Sequence, residues 1–230
     1  MKKGDLRKQE ILETAEALFC RYGYENTSIQ NILDQLNISK GSFYHHYISK
    51  ESLLEGICRK RAEQIYASVS CLIDEDMPAT VNLDILLSGM IPFRDEKLSF
   101  LLMLLPVFRL PEGRIVRMSY CNELLGQFKK AVIHEIEKGR SNEELVCQSP
   151  DITADLILSM INRLWTQLCD AIISEEDDGS KMDISVFLEY TECYRKMTEK
   201  ILMLPYGSIS LIDIPTISSM IEQIHAHWVK

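Results

Sequence analysis

A short polar segment in the first quarter of the chain carries the side chains best suited to binding a charged ligand. It contains Lys40, Ser42 and Tyr44, followed by His45 and His46. Ammonium, hydroxyl and imidazole groups can contact phosphate oxygens and the edges of bases. The two histidines cannot form a zinc site by themselves, because neighbouring residues on a helix point about 100° apart. The segment therefore indicates nucleic-acid contacts rather than metal chemistry.

Motifs of enzymatic chemistry are absent from the sequence. It has no glycine-rich phosphate loop, no HExxH and no GxSxG, and its Ser, His and Asp residues show no spacing that would assemble a triad. Its seven cysteines are scattered singly, which indicates reduced thiols that pack as small apolar side chains. We therefore expect a protein that is not an enzyme and that uses no metal and no cofactor.

The net charge of -9 over 230 residues, taken whole, argues against a nucleic-acid partner. The charge is unevenly distributed along the chain. Residues 1–61 hold ten Lys and Arg against eight Asp and Glu, a balance of +2, whereas residues 62–230 hold fifteen against twenty-six, a balance of -11. A mildly basic head on an acidic body indicates two parts with different partners.

Helical periodicity dominates the head. Apolar residues at helical spacing predict an amphipathic helix over about 6–22, with Gly23 as its stop. The sequence Thr27-Ser28-Ile29-Gln30 has the form of a capping box, in which Thr27 and Gln30 would begin a second helix.

The second helix leads into a tight turn and a third helix. Asn37 suits a left-handed turn residue, and Ser39 can cap a helix that runs to about Tyr47. Ser49 can cap a fourth helix. Two short helices packed under a longer one form a helix-turn-helix over residues 28–47, whose second helix fits a DNA major groove.

The body is also predicted to be helical, so the expected fold class is all-α. Breaks at prolines, glycines and an acidic run separate the elements, and residues 208–214 could form a short extended stretch. The candidate helices cover about 81–91, 95–109, 114–138, 142–148, 152–174, 184–203 and 216–229.

No membrane-spanning segment is expected. The most apolar run, residues 100–108, is nine residues long and contains Pro106, whereas a spanning helix needs roughly 20. The N-terminus leads into a charged helix rather than the apolar core of a signal peptide. These features favour a cytoplasmic protein.

Two predicted helices, about 152–174 and 184–203, are apolar on most of their sides. Such a helix must be buried on most sides. A two-fold partner that supplies the same pair would form a four-helix interface, which predicts a homodimer. A core helix within a single chain is the alternative.

The segments Tyr22-Gly23, Ile38-Ser39-Lys40-Gly41-Ser42, Phe43-Tyr44 and Ser49-Lys50-Glu51 stand at characteristic spacings. Their pattern closely resembles the DNA-binding domain of TetR/AcrR-family transcriptional regulators, and the resemblance covers roughly residues 5–65. Two positions depart from the family pattern. Leu33 stands where the family usually has Ala, and Asn37 stands where it usually has Gly.

The resemblance implies an N-terminal three-helix DNA-binding domain over residues 1–48, joined through the fourth helix to a C-terminal helical effector-binding and dimerisation domain over residues 49–230. It implies a sequence-specific regulator, acting as a repressor that a small-molecule effector releases from a double-stranded DNA operator. The residues that it places at the DNA are Thr27, Ser28, Gln30, Ser39, Lys40, Gly41, Ser42, Tyr44, His45, His46 and Lys50.

The effector pocket is predicted less specifically, because each candidate side chain could equally belong to the core. Soft apolar side chains suit an adaptable cavity, and polar residues interrupt the most apolar helix. The candidates are Phe100, Met103, Phe128, Met160, Asn162 and Trp165. A second hypothesis for the whole chain is a TetR-fold coactivator that binds protein and has lost DNA binding, which the low isoelectric point and Leu33 would fit.

Overall fold

A computed structural model of the chain describes residues 3–91, 95–110, 113–178 and 184–228, and every regular element in those ranges is a helix. This confirms the predicted all-α class. The helices are α1 Lys3–Tyr22, α2 Ile29–Leu36, α3 Lys40–Tyr44, α4 Lys50–Ser70, α5 Ala79–Gly89, α6 Asp95–Phe108, α7 Gly113–Ser141, α8 Pro150–Asp178, α9 Ile184–Ile201 and α10 Ile214–Trp228.

Two predictions of helical extent are wrong. Residues 142–148 are not helical, because the chain turns back over the end of α7. Glu143 takes a left-handed φ of 61°, and the amide of Glu144 donates to the carbonyl of Gly139 at 2.8 Å. The third helix ends at Tyr44 rather than near Tyr47. Residues 208–214 contain no strand.

The described residues form two compact units. The first contains Met1–Ala62 and Ser99–Glu123, and the second contains Glu63–Leu98 and Leu124–Lys230. These units do not coincide with a boundary after residue 48, since most of α4 up to Ala62 and parts of α6 and α7 pack with the N-terminal helices. The functional boundary at residue 48 stays a prediction.

In the first unit, α4 lies close against α1 and against the turn that follows α3. A Cβ on Gly56 would come within 3.1 Å of both Leu12 Cδ2 and Tyr47 Cε1, so glycine permits this approach. Phe43 and Tyr47 are buried, as part of the core that holds the head together. Close packing at Gly56 therefore sets the distance between α4 and the short helices.

Three consecutive cations on α4 pair with acidic residues of the same unit. Lys60 Nζ lies 2.8 Å from Glu13 Oε1, and Arg59 Nε lies 3.3 Å from Glu123 Oε1. Arg61 pairs with Glu16, which is only 8% exposed. These cations therefore hold α4 to α1 and α7.

In the second unit, α9 turns polar side chains inward. Arg195 and Glu199 are buried, and Arg195 Nη1 lies 2.8 Å from Glu199 Oε1. The same oxygen of Glu199 accepts from the amides of Gly207 at 2.9 Å and Ile209 at 3.1 Å. This carboxylate therefore fixes the loop after α9 by pairing a buried cation and two backbone donors at once.

A carboxylate of α5 holds the next stretch of this loop. Asp84 Oδ1 accepts from the amides of Ser210 at 2.8 Å and Leu211 at 3.1 Å. Leu211 has a left-handed φ of 55°. The segment after α9 is therefore an ordered loop, fixed by Asp84 and Glu199, that leads into α10.

One stretch within the described residues, Pro150–Ser174 of α8, is long and apolar enough to cross a membrane by length and composition, with a mean hydropathy of 1.2 in its most apolar window. Length and composition alone do not decide whether this stretch crosses a membrane, so the expectation that no segment does so stays a prediction. Core helices of soluble proteins meet it too, and 44% of that window is buried inside the protein. Ile157, Leu164 and Leu168 lie in the core of the second unit.

All seven cysteines are free thiols. Cys58, Cys121 and Cys169 are buried, as expected of small apolar side chains, but Cys20, Cys71 and Cys193 are exposed. Burial raises the pKa of the Cys121 thiol to about 12, so this thiol is held in its unreactive neutral form.

Replacement of Glu199 by Ala should lower the free energy of unfolding by about 3–5 kcal/mol, because it leaves Arg195 without its closest buried partner and two amides without an acceptor. Urea unfolding followed by circular dichroism measures this loss. Glu189→Ala, at an exposed position of the same helix, is the control and should change stability by less than about 0.5 kcal/mol. Equal effects of the two substitutions would contradict the assignment.

Candidate nucleic-acid interface

The second helix begins one residue later than the sequence predicts. Ser28 is its N-cap, and the Ser28 hydroxyl accepts from the amide of Asn31 at 3.2 Å. Asn31 completes the capping box, because its Oδ1 accepts from the amide of Ser28 at 2.8 Å. The predicted box of Thr27 and Gln30 is therefore wrong.

Thr27 has a structural role instead. It is 1% exposed, and its hydroxyl donates to the carbonyl of Gly23 at 2.9 Å. Its amide donates to the carbonyl of Tyr24 at 3.2 Å. The Thr27 side chain therefore holds the turn between α1 and α2 and is not presented to a ligand.

Gln30 projects from the first turn of α2 and is exposed. Its amide nitrogen donates to Asp34 Oδ1 at 2.7 Å along the helix. This hydrogen bond holds the amide on the outer face of α2. Ser28, beside it, is exposed as well.

The turn between the short helices has the predicted left-handed residue. Asn37 adopts φ 51° and ψ 51° and caps α2, and the amide of Ile38 donates to the carbonyl of Leu33 at 3.1 Å. Leu33 itself is buried, with 2% of its surface exposed. The two departures from the family pattern are therefore accommodated within the turn and the core.

The third helix presents the predicted polar segment. Ser39 is its N-cap, and the Ser39 hydroxyl accepts from the amide of Ser42 at 3.2 Å. Lys40, Gly41 and Tyr44 are exposed, whereas Ser42 is half-buried. Ammonium, hydroxyl and bare backbone are thus presented together on a single helix of five residues.

Gly41 is not required by the fold. A Cβ at this position would meet nothing closer than Ser39 Oγ at 3.9 Å, which is an ordinary contact. Glycine inside a helix costs about 0.5–1 kcal/mol relative to alanine. A glycine that the packing does not need, on an exposed helix, is typical of a surface that another molecule approaches closely.

The two histidines follow at the end of α3. His45 is exposed and His46 is half-buried, and their ring centroids lie 4.9 Å apart. Desolvation lowers the pKa of His46, and the nearby charges of His45, Lys8 and Arg7 lower it further. His46 is therefore neutral at pH 7, in a positive environment that attracts anions.

Lys50 is held at the start of α4 by an aromatic ring. Its Nζ lies 4.0 Å from the centroid of the buried Tyr24 ring, and Tyr24 packs edge-on against Phe19 at 5.1 Å. Desolvation lowers the pKa of Lys50 against the opposing effect of Glu25 and Glu51. Tyr24, which was not among the predicted residues, therefore orients the ammonium.

The predicted pocket residues are divided between the two units. Phe100 and Met103 are buried in the first unit, where Phe100 packs against Tyr120 at 5.7 Å between ring centroids. The other four lie in the second unit, with Phe128 and Trp165 buried and Met160 and Asn162 half-buried. The assignment of these six residues to an effector pocket stays a prediction.

The left-handed conformation of Asn37 gives a matched pair of substitutions. Asn37→Ala should lower the free energy of unfolding by about 1 kcal/mol, because Ala carries the Cβ strain of that conformation without the local hydrogen bonding of Asn. Asn37→Gly should keep stability within about 0.5 kcal/mol or raise it. Thermal unfolding of both variants measures this difference, and an Asn37→Ala variant as stable as Asn37→Gly would contradict it.

Comparison with known proteins supports this assignment of the head. Residues 11–57 match the family model of bacterial regulatory proteins of the tetR family. The HTH-type transcriptional regulator YerO of Bacillus subtilis is 31% identical over 122 residues, which cover 50% of this chain and 40% of that protein. The HTH-type transcriptional repressor KstR2 of Mycobacterium tuberculosis is 34% identical over 68 residues, which cover 30% of this chain and 34% of the repressor. The matched part thus spans two-fifths or less of either relative.

The likeness to solved structures extends further along the chain. The transcriptional regulator FadR from Bacillus subtilis, in complex with stearoyl-CoA, aligns with a TM-score of 0.52 and 17% identity, covering 89% of this chain and 99% of that one. At this level of identity the likeness shows a shared fold. Together with the match over residues 11–57, it supports a head that resembles the DNA-binding domain of the tetR family.

Proposed function

We propose that the protein is a sequence-specific DNA-binding transcriptional regulator that represses its target genes. The observation that carries the proposal is the surface of α3, where an exposed glycine without a packing role stands between the exposed Lys40 and the half-buried Ser42, with the exposed Tyr44 further along the helix. A bare backbone flanked by a cation and hydroxyls suits an approach to phosphates and base edges in a major groove. Relatives of the head include named repressors.

Within this proposal the contacts divide into two kinds. Tyr44, His46 and Lys50 bind phosphates and position the head, whereas Gln30 and Lys40 reach base edges. Ser28, Ser39, Ser42 and His45 complete the proposed contact set. The amides at the start of α2 favour a phosphate as well, because the partial positive charge of a helix N-terminus attracts anions.

A coactivator that has lost DNA binding is the competing function. The low isoelectric point and Leu33 are the two sequence features that favour it. Because Leu33 is buried and leaves the capped turn intact, it changes no group on the exposed surface. The exposed set on α3 favours the DNA-binding alternative.

The body is proposed to bind a small-molecule effector that releases the protein from DNA in the cytoplasm. FadR, which shares the fold, is described in complex with stearoyl-CoA. An effector can change DNA affinity only by its differential affinity for two conformations of the protein. Within the second unit, Phe128, Met160, Asn162 and Trp165 remain the proposed lining.

We also propose that α8 and α9 form a two-fold dimer interface. The amide of Val146, just before α8, donates to the carbonyl of Leu202, just after α9, at 3.1 Å. The start of α8 therefore lies beside the end of α9. Leu156 and Met197 are 53% and 47% exposed there, although both belong to the predicted apolar helices. A second copy would cover these side chains.

Substitution of Gly41 by Ala tests the DNA-binding surface without disturbing the fold. We expect unfolding free energy to stay unchanged or rise by up to about 1 kcal/mol. Affinity for a duplex selected from a random library by the intact wild-type protein should fall about 10-fold, because a methyl group forced into a close contact costs about 1–3 kcal/mol. Fluorescence anisotropy at two salt concentrations measures the affinity.

Lys40→Ala in the same assay should weaken binding about 10-fold, with a slope against log salt that falls by about 1 if Lys40 neutralises a phosphate. Lys130→Ala, at an exposed position of α7, is the matched control and should bind like the wild type. Failure to select any duplex, or full affinity in both α3 variants, would refute the proposed interface and favour the coactivator.

Met197→Glu tests the dimer. Two copies of a buried carboxylate would face the two-fold interface, so the dimer dissociation constant should rise at least about 100-fold. Sedimentation velocity should then show a monomer at micromolar concentration. Met118→Glu, at an exposed methionine of α7, should leave the dimer intact. A wild-type monomer, or a Met197→Glu dimer of unchanged affinity, would contradict the interface.

A further inference from the structure

Three side chains with metal-binding chemistry meet in the second unit, away from every residue assigned above. Glu75 lies in the turn after α4, and His134 and Glu135 lie on α7. One ligand atom of each lies within 4.8 Å of those of the other two. His134 Nε2 lies 3.4 Å from Glu75 Oε1.

The Glu135 carboxylate lacks a hydrogen-bonding partner for one of its oxygens. Its side chain is 2% exposed, and among the described residues Oε2 receives no hydrogen bond. The nearest cation, Lys138 Nζ, lies 3.8 Å away, which exceeds hydrogen-bonding distance. A buried carboxylate oxygen without a donor is unfavourable unless a cation or a proton reaches it.

Lys138 is occupied mainly elsewhere. Its ammonium donates to the carbonyls of Glu75 at 2.7 Å and Met77 at 2.8 Å, and so uses two of its three protons on the turn. It lies 4.0 Å from Glu75 Oε2. Lys138 therefore fixes the turn beside α7 and keeps Glu75 near His134. Because its ammonium is positively charged, it also disfavours the binding of cations that have only a weak affinity for carboxylates.

We propose that Glu75, His134 and Glu135 form a binding site for a divalent transition-metal ion of the Zn²⁺ type. One imidazole and two carboxylates match the ligands that such ions accept, and three protein ligands leave a position for water. Glu75 and His134 have exposed side chains, which gives the ion a path to the buried Glu135. The two glutamates lie too far apart in sequence for spacing to reveal the site.

Isothermal titration of the intact, metal-free protein with Zn²⁺ tests the site. We expect one ion per chain that disappears in His134→Ala and in Glu135→Gln, and remains in Glu137→Gln, an exposed glutamate of the same helix. At a free Zn²⁺ concentration of about 100 times the dissociation constant, the melting temperature should rise by about 5–10 °C in the wild type and in Glu137→Gln only.

Co²⁺ gives a second readout, because bound Co²⁺ should show a visible absorption band that His134→Ala abolishes. His134 is exposed, so this variant keeps its fold even if Glu135→Gln does not. Zn²⁺ binding that survives in both site variants would place the ion elsewhere and overturn the proposal. Absence of binding in the wild type would also overturn it.

Discussion

The ends of four helices fall between Tyr22 and Lys50, and their unpaired backbone groups constrain the whole head of the protein. Such short helices contribute little stability by themselves, so each end needs a partner. Ser28 and Asn31 cap α2, Asn37 closes it, Ser39 caps α3, and the Ser49 hydroxyl accepts from the amide of Ser52 at 3.1 Å before α4. The exposed side chains of α3 hold a defined direction because these caps leave the backbone no alternative.

The same constraint explains what the sequence could and could not predict about the interface. The sequence correctly predicts that Asn37 ends α2 and that Ser39 and Ser49 cap the next two helices, since local chemistry decides the conformation of these residues. Thr27 and Ser28 both fit a helix start, and the choice between them depends on the burial of Thr27 under α1. That burial arises from tertiary packing, which a local pattern does not contain. Tyr24 was missed for the same reason, because its contact with Lys50 spans the helix-turn-helix.

In the body, periodicity predicted which segments are helical but not which face each one buries. The apolar residues of α9 suggested a buried stripe, yet the helix also turns Arg195 and Glu199 inward, because the loop after it supplies amides that need an acceptor. The sequence wrongly predicts a helix over residues 142–148, because the composition of this stretch does not indicate the left-handed conformation of Glu143. Contacts between residues distant in sequence, such as Glu75 with His134, depend on the packing of α7 against the turn after α4.

The hydrogen bond between Gln30 and Asp34 affects how strongly the protein would reject a wrong base pair opposite Gln30 in its operator. A side chain that reads a base usually penalises the wrong one because its own polar groups are left unpaired, at about 1–3 kcal/mol per mismatched pair. Gln30 already has an intramolecular partner at 2.7 Å, to which it can return. Under the proposed function, a wrong base opposite Gln30 would cost less than that range, and the operator should be most degenerate at that position. Discrimination between base pairs would then depend more heavily on Lys40. The Asp34 carboxylate, which does not contact DNA, would thus set the tolerance for a wrong base pair opposite Gln30.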